Sequence, residues 1–341
     1  MRAACMQPGT LFFFFFHNNC HFSLVHHAFA SASQINPTGL VMPAALVAEL
    51  IGWALGAGLH YISDEIYGAS VYAPSDGPPF VSAASIAAAW PSLAPASPVQ
   101  LQALRDRVHT VLGLSKDFCA SGLRCGVLWT KKRVHLYFFF FSNCFFRLRS
   151  AALRAAYDNV GYFCALPNPV QAALAALLSD ERWLDGFQEA RRGRLRAARD
   201  ALCSSLASAG VPHAPAAAGM FVFLDLSAFC RPDADAAAAA AATDASAASP
   251  SASSSAPDRF ALSERELWTL LKDAAPGGVL LTPGHDCCAF KPGWFRACFA
   301  AAHPDSLPLV GERIAAVLEA ARDEHARRAA AAGRIGPHNQ S

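Results

Sequence analysis

Apolar and polar residues follow a helical period in some parts of the chain and a strand-like pattern in others. From Pro43, the segment "PAALVAELIGWALGAG" repeats its apolar residues at helical spacing, with proline near its start and glycine at its end. These residues are typical of the beginning and the end of a helix. The short apolar segment "LHYISDEIY" follows and predicts a strand.

The same alternation continues to about residue 130. An Ala/Ser-rich stretch and the polar segment Gln100–Arg107 predict helices, and "HTVLGLS" and "GVLWT" predict strands. Helices that alternate with apolar strands indicate an α/β domain with a mainly parallel sheet flanked by helices.

The second half of the chain predicts a different order of helices and strands. Helices are predicted over "RSAALRAAYDNVGYF" and over a long segment that ends at Gly210, and the strand "GMFVFLDL" follows. A helix "SERELWTLLKDA", strands around "GVLLTPG" and "WFRACFA", and a closing helix from Ser306 to about Ala332 complete this half. We therefore predict a large domain over 31–200 and a smaller α+β domain over 201–335. The Ala/Ser/Pro-rich insertion 232–258 is expected to be disordered.

Composition excludes some classes of function. The chain has 341 residues, is 53% hydrophobic, and carries 28 Lys and Arg against 26 Asp and Glu. Its basic residues form no face with interleaved aromatic side chains, so no nucleic-acid partner is expected. The one arginine cluster is predicted to be a solvated helix face, and it contains Arg191, Arg192, Arg194, Arg196 and Arg199.

Cysteine usage and the Phe-rich runs bear on location. The eleven cysteines form no CxxC pair, which favours reduced thiols in a cytoplasmic protein. The Phe-rich runs 11–16 and 134–146 fall short of the ~20 apolar residues that span a bilayer, and no signal peptide is recognised. His17, Cys20 and His21 lack a second half at zinc spacing, so no metal is expected.

Candidate chemistry lies in short clusters near the ends of predicted strands. "SDEIYG" presents its aspartate at the carboxyl end of a strand, where parallel sheets bind ligands. A carboxylate, a lysine amine, ring-directed hydrogen-bonding groups and a phosphate-binding guanidinium together suit pyridoxal phosphate. The structural alternative to a cofactor site is that the aspartate only caps the next turn and that the arginine is an ordinary surface residue. The clusters contain Asn36, Asp64, Tyr67, Ser115, Lys116 and Arg124.

Four motifs carry a resemblance to a known family. "NPTG", "SDEIYG", "SKDFCASGLRCGVL" and "PGHDCCAFKPGWFRACFA" occur in this order. They resemble the class I/II aminotransferase superfamily of fold-type I pyridoxal-phosphate enzymes, and most closely its 1-aminocyclopropane-1-carboxylate synthase-like branch. The resemblance covers roughly 30–325, and it implies the fold-type I architecture with an incomplete large domain.

The resemblance also implies a role for each site residue. Lys116 would form the Schiff base with pyridoxal 5′-phosphate and serve as general base, and Asp64 would face the pyridine nitrogen. Asn36 and Tyr67 would bind the ring oxygen. Ser115 and Arg124 would hold the phosphate, and Arg296 would bind the substrate carboxylate.

The implied function is an enzyme acting on amino acids, as an aminotransferase or a synthase-like lyase, in a homodimer. The alternative is a catalytically inactive fragment that keeps the fold. Only 35 residues precede Asn36, whereas members of the family carry a long segment there. Residues 1–30 and the insertion 131–149 resemble nothing in the family. We therefore expect an N-terminally truncated member, and we hypothesise that the two Phe-rich runs are translated intron ends.

Overall fold

A computed structural model describes residues 22–25, 28–73, 77–93, 97–130, 138–139, 166–230 and 262–334. The predicted helix 149–163 and the insertion 232–258 lie outside these ranges, as does most of the insertion 131–149. None of the helices within them combines the length and the apolar character that a membrane crossing requires.

The strands form a large sheet, a small sheet and one hairpin-like pair. The large sheet has the order β1-β2-β5-β6-β7-β8, the small one β10-β11-β9, and β3 pairs with β4. Their bounds are β1 Phe22–Val25, β2 Ala28–Ala32, β3 Gln34–Ile35, β4 Leu40–Val41, β5 His60–Asp64, β6 Val108–Gly113, β7 Gly126–Thr130, β8 Phe138–Phe139, β9 Phe221–Asp225, β10 Thr282–Pro283 and β11 Trp294–Cys298.

The helices confirm most of the predicted segments. The closing helix begins at Val310 and not at Ser306, because Pro304–Leu309 forms a 3₁₀ segment with Pro308 inside it. The bounds are α1 Ala44–Gly56, α2 Ala83–Leu93, α3 Pro98–Arg107, α4 Leu114–Asp117, α5 Asn168–Ser179, α6 Glu181–Ser208, α7 Glu264–Asp273 and α8 Val310–Arg334.

The centre of the large sheet is parallel and its flanks are antiparallel. Strand β5 lies between β2 and β6, with Ala32 and Val111 both opposite Asp64. β1, β7 and β8 join in antiparallel orientation. This arrangement confirms the α/β class, and it places the carboxyl ends of β2, β5 and β6 at one edge.

One hydrophobic core lies between the large sheet and helices α1 to α3. Helix α1 buries Val47, Ile51 and Ala54, the i, i+4, i+7 stripe of a helix that packs on a sheet. They belong to the same cluster as Tyr61 of β5 and Val108 of β6, both fully buried. This packing holds the parallel strands in place behind the candidate site.

A second core belongs to the small antiparallel sheet and helices α6, α7 and α8. Leu202, Leu206, Leu224, Phe295 and Ile314 are each almost completely buried there. Antiparallel strands with helices packed against them form the predicted α+β architecture of the C-terminal part.

The "NPTG" turn connects the two cores. The carbonyl of Gly39 accepts hydrogen bonds from the backbone N–H groups of Ala217 and Ala218, at 2.9 and 3.0 Å. Gly39 has φ +71°, and a Cβ at this position would lie 2.7 Å from the Cβ of Ala216. Only glycine fits this position without displacing its neighbours.

The prediction that the arginine cluster is a solvated face is wrong for Arg191. This residue is buried and lies on the same stripe of α6 as Leu195 and Leu202. Arg196 is turned toward the protein as well, since its Nε donates to the carbonyl oxygen of Tyr72 at 2.7 Å. The spacing of arginines along a helix does not reveal which stripe the rest of the chain covers.

Candidate active site

Asp64 ends β5 between two parallel neighbours. Its Oδ1 accepts a hydrogen bond from the backbone N–H of Ile66 at 3.1 Å, and the N–H of Glu65 donates to the carbonyl of Val111 at 2.8 Å. Burial raises the pKa of Asp64, and the hydrogen bond from Ile66 opposes that shift. Among the described residues, one backbone N–H donates to this half-buried carboxylate, which keeps acceptor capacity for a ligand.

Tyr67 follows Asp64 within one turn and is buried. Its ring makes an edge contact with Phe221, with centroids 5.5 Å apart. Burial raises the pKa of Tyr67 to about 12, although the charge of Arg296 acts in the opposite direction. The phenol therefore keeps its proton near neutral pH and can donate a hydrogen bond.

Asn36 and Arg296 meet, although they lie far apart in the chain. Nη1 of Arg296 donates to Oδ1 of Asn36 at 2.9 Å, and Nη2 donates to Oγ1 of Thr282 at 3.2 Å. The guanidinium carbon lies 5.6 Å from the centroid of the Phe221 ring, so this ring contacts both Arg296 and Tyr67. Nε of Arg296 is buried with no hydrogen-bond partner in the described ranges.

Lys116 lies in the short helix α4, directly after β6. The carboxyl end of β6 is adjacent to that of β5. Asp64 is the last residue of β5, and Lys116 comes three residues after the end of β6. Lys116 is half-buried. No hydrogen bond or ion pair to its amine is formed within the part of the chain that the structure describes.

Ser115 and Arg124 lie in the same segment as Lys116, and the structure does not join them by a hydrogen bond. Ser115 is half-buried, whereas Arg124 is exposed. Arg124 adopts a left-handed backbone conformation, and its Nη1 donates to the carbonyl of Ser121 at 3.0 Å. The assignment of both residues to a phosphate stays a prediction.

Two charged residues of the site region were not predicted. Asp117, the next residue after Lys116, is buried and pairs with Arg191 of α6 at 3.4 Å. Burial raises the pKa of Asp117, while hydrogen bonds from Ser70 and Ala69 and the charge of Arg191 lower it. The sequence signal that could have singled out Asp117 was its position directly after Lys116.

Glu264 is a third residue that the sequence pattern did not single out. It is buried in the first turn of α7, where its carboxylate accepts from the N–H groups of His285 and Gly293 at 3.0 and 2.7 Å. These contacts fix the loop "PGHDCCAFKPG" that leads into β11 and thus to Arg296. An acidic residue at a helix N-terminus is common, so the pattern alone indicated only a cap.

Comparison with known proteins identifies the family. The family model described as aminotransferase class I and II matches residues 24–314. The chain belongs to this family. The cofactor of its members is pyridoxal 5′-phosphate.

Several curated plant proteins to which the chain is similar are 1-aminocyclopropane-1-carboxylate synthases. 1-aminocyclopropane-1-carboxylate synthase 4 of Oryza sativa subsp. japonica is 31% identical over 290 residues, which are 84% of this chain and 49% of that protein. The probable aminotransferase ACS12 of Arabidopsis thaliana is 28% identical, over 84% of this chain and 46% of that protein. The chain therefore spans about half the length of the curated relatives that it matches.

Solved structures support the fold. A Thermus thermophilus aspartate aminotransferase double mutant is similar at TM-score 0.56 and 21% identity, covering 85% of this chain and 56% of that one. The aromatic aminotransferase from Pyrococcus horikoshii OT3 is similar at TM-score 0.57 and 20% identity, with coverage of 87% and 61%. The fold-type I architecture is thus confirmed for the matched part.

Proposed function

We propose that this chain carries the pyridoxal-phosphate site of an enzyme that acts on amino acids, as an aminotransferase or a 1-aminocyclopropane-1-carboxylate synthase-like lyase. One observation carries the proposal. Asp64 ends strand β5 and Lys116 follows β6, the parallel neighbour of β5, and the Phe221 ring contacts both Tyr67 and the Arg296 that binds Asn36.

The donors and acceptors of this site fit the cofactor. Asp64 offers a half-buried carboxylate for the protonated pyridine nitrogen, and Tyr67 offers a neutral phenol for the ring oxygen. Asn36 would share that oxygen through its amide nitrogen, because its Oδ1 already accepts from Arg296. Ser115 and Arg124 would hold the phosphate. When bound, the cofactor supplies an electron sink for a carbanion at the substrate Cα.

Lys116 would bind the cofactor and transfer a proton, and Arg296 would bind the substrate. The amine of Lys116 would hold the cofactor by condensing with its aldehyde, with loss of water, and as a free amine it would act as the general base that takes a proton from the substrate Cα. Arg296 would hold the substrate carboxylate, since a guanidinium presents two parallel donors to a carboxylate. An α-amino acid supplies both an amine and a carboxylate and is therefore the substrate class.

The test is the absorption spectrum of the purified chain with added pyridoxal phosphate. We expect a visible band that is lost in Lys116→Ala and kept in Lys291→Ala, which removes an exposed lysine near the loop before β11. Borohydride reduction followed by peptide mass analysis should place the label on Lys116. A band that persists in Lys116→Ala, or no band in the unmodified chain, would overturn the proposal and favour an inactive fragment.

Assembly and location complete the proposal. The family resemblance supports a homodimer, the cysteine usage supports a cytoplasmic location, and the order of predicted elements supports a large domain over 31–200 and a small one over 201–335. Sedimentation velocity of the purified chain tests the first point, since a single monomeric species at micromolar concentration would contradict it. Fractionation of the source cells tests the second, and limited proteolysis near residue 200 tests the third.

A further inference from the structure

A buried ion pair lies directly behind the lysine of the proposed site. Arg191 Nη2 and Asp117 Oδ1 are 3.4 Å apart, and their side chains are only 7% and 9% exposed. Removing two charges from water is unfavourable unless each finds a charged partner and further hydrogen bonds. The surroundings of this pair supply those hydrogen bonds, and they join three separate parts of the chain.

The first part is the turn that follows Tyr67. Asp117 accepts from the N–H of Ala69 at 2.8 Å and from Oγ of Ser70 at 2.5 Å. Arg191 donates to the carbonyl of Ala69 at 2.6 Å and to the same Ser70 Oγ at 3.0 Å. The N–H of Ser70 in turn donates to the carbonyl of Tyr67 at 2.8 Å. Both members of the pair therefore bind one turn, the one that orients Tyr67.

The second part is the helical turn of Lys116, and the third is helix α6. Gln188 of α6 donates from Nε2 to the backbone carbonyl of Asp117 at 2.9 Å. Its Oε1 accepts from Nε of Arg191 at 3.1 Å. Residue 117 is thus held through its side chain and its backbone. Helix α6 continues from there into the second core at Leu202.

These contacts constrain the distance between the Lys116 turn and the Tyr67 turn, and the proposed chemistry depends on that distance. Lys116 is adjacent to Asp117, and Tyr67 is bonded to Ser70 through one backbone hydrogen bond. Displacements of about 1 Å between reacting groups can cost an enzyme about a hundredfold in rate. A charged pair that binds both segments fixes them more stiffly than a neutral contact would.

We infer that Asp117 and Arg191 are positioning residues that hold the Lys116 turn and the Tyr67 turn in register for cofactor chemistry. The inference rests on the proposed function for the role of Lys116 and Tyr67. Neither residue is assigned a part in bonding or proton transfer, and both act through the backbone turns that they connect.

The experiment compares Arg191→Met with Arg191→Lys, which keeps the charge. Arg194→Met, an exposed arginine on the same helix, is the matched control. Amide hydrogen exchange of the chain without cofactor reports on the turns directly. Phosphopyridoxyl labelling after borohydride reduction reports on the proposed site, as the share of label on Lys116 relative to the other lysines. Circular dichroism sets a temperature at which every variant is folded.

In Arg191→Met we expect faster exchange at Ala69 and Ser70, by about tenfold or more relative to amides of α1. We also expect the Lys116 share of the label to fall by about tenfold. Arg191→Lys should restore part of both signals, and Arg194→Met should match the unmodified chain. Asp117→Asn should behave as Arg191→Met does, which keeps the test open if one variant does not fold.

The two ideas fail in different ways. Exchange at Ala69 and Ser70 that is unchanged in folded Arg191→Met would overturn the positioning role, whatever the label shows. A general rise in exchange across α1 and α8 would also overturn it, because the pair would then act on global stability. Absence of selective labelling in the unmodified chain would count against the proposed function alone, since the exchange measurement does not use the cofactor.

Discussion

Arg296 donates a hydrogen bond of 2.9 Å to Asn36 across a sequence separation of 260 residues. The contact joins the "NPTG" turn to strand β11, and so it joins the two hydrophobic cores at the candidate site. The planar guanidinium binds Asn36 through one nitrogen and Thr282 through another. A lysine amine cannot reproduce that geometry.

Replacement of Arg296 by lysine is therefore expected to weaken substrate binding. We predict that Arg296→Lys raises the KM for the amino-acid substrate by about tenfold to a hundredfold, because the two-donor grip on a carboxylate is lost. The KM is measured from the initial rate of the cofactor-loaded chain as a function of amino-acid concentration. Arg265→Lys, at an exposed position of α7, should bind like the unmodified chain. Equal KM values for the two variants would contradict the assignment of Arg296.

We expect Asp64→Asn to stabilise the cofactor-free chain at pH 7 and to weaken cofactor binding. The folded-state pKa of Asp64 is raised by burial, so its contribution to stability is present below the unfolded pKa and is lost as pH rises through the folded value. At pH 7 the ionised group therefore opposes folding of the cofactor-free chain. Asp64→Asn should raise the free energy of unfolding at pH 7, with the gain disappearing toward pH 3. The same variant should bind pyridoxal phosphate more weakly.

Urea unfolding at the two pH values and a cofactor titration test this prediction. Asp286→Asn changes an exposed carboxylate and is the control. An Asp64→Asn chain that is less stable at pH 7 would show that the carboxylate stabilises the strand ends.

Gly39→Ala is expected to destabilise the chain. Its φ of +71° is unfavourable for alanine, and the new Cβ would meet Ala216 at 2.7 Å and the carbonyl oxygen of Ala218 at 2.9 Å. Strain of this kind together with overpacking costs roughly 2–4 kcal/mol. Gly186→Ala provides a control of opposite sign. It lies in α6 with no atom within 4 Å of the added Cβ, and it should stabilise the helix by about 0.5–1 kcal/mol. Denaturant midpoints measure both, and a neutral Gly39→Ala would be incompatible with the close contact.

His109 is expected to contribute acid sensitivity. Its Nε2 lies 2.8 Å from Nδ1 of His60. Burial lowers the pKa of His109 to about 4, with a further lowering from His60 and an opposing effect of Asp106. A lowered folded pKa stabilises the fold above the unfolded value of about 6.5, and this stabilisation is lost as pH falls through 4. The loss should amount to about 3 kcal/mol at most.

Unfolding free energies of the unmodified chain and His109→Gln between pH 7 and 4 test this. The variant should lose less stability on acidification, whereas His303→Gln, at an exposed position, should follow the unmodified chain. The raised pKa values of Asp64, Glu65 and Asp117 affect both proteins equally and cancel in the difference. Parallel pH profiles for His109→Gln and the unmodified chain would rule out a role for the histidine pair.

Local structure was largely predictable. Helix α1 begins after Pro43 and ends before Gly58, because proline fixes its own φ close to the helical value and glycine can adopt the φ of +74° that ends a helix. β5 and β6 follow from short apolar runs between helices. The boundary of the closing helix was not predicted correctly, since the 3₁₀ segment with Pro308 inside it depends on packing against α6 as well as on local propensity.

The sequence named the candidate site residues one by one but did not predict how they are arranged. Spacing and motif order named Asn36, Asp64, Tyr67, Lys116 and Arg296, yet no local pattern contains the contact of residue 36 with residue 296. The burial of Arg191 was predicted wrongly for a related reason. From the sequence alone, a charged stripe of a helix is predicted to be exposed to solvent. Only the elements that pack against the helix determine whether such a charge is instead paired in the interior.

The sequence by itself determined most helices and strands of the described ranges, the family, and the chemical types of the candidate site residues, because these depend on short-range spacing and on motifs that local chain geometry requires. The tertiary structure alone decided which distant groups meet. It pairs Asn36 with Arg296, and it buries Asp117 against Arg191 beside the Tyr67 turn. The physical reason is that sheet order and the packing of α6 bring these groups together, and neither is encoded in any single stretch of residues.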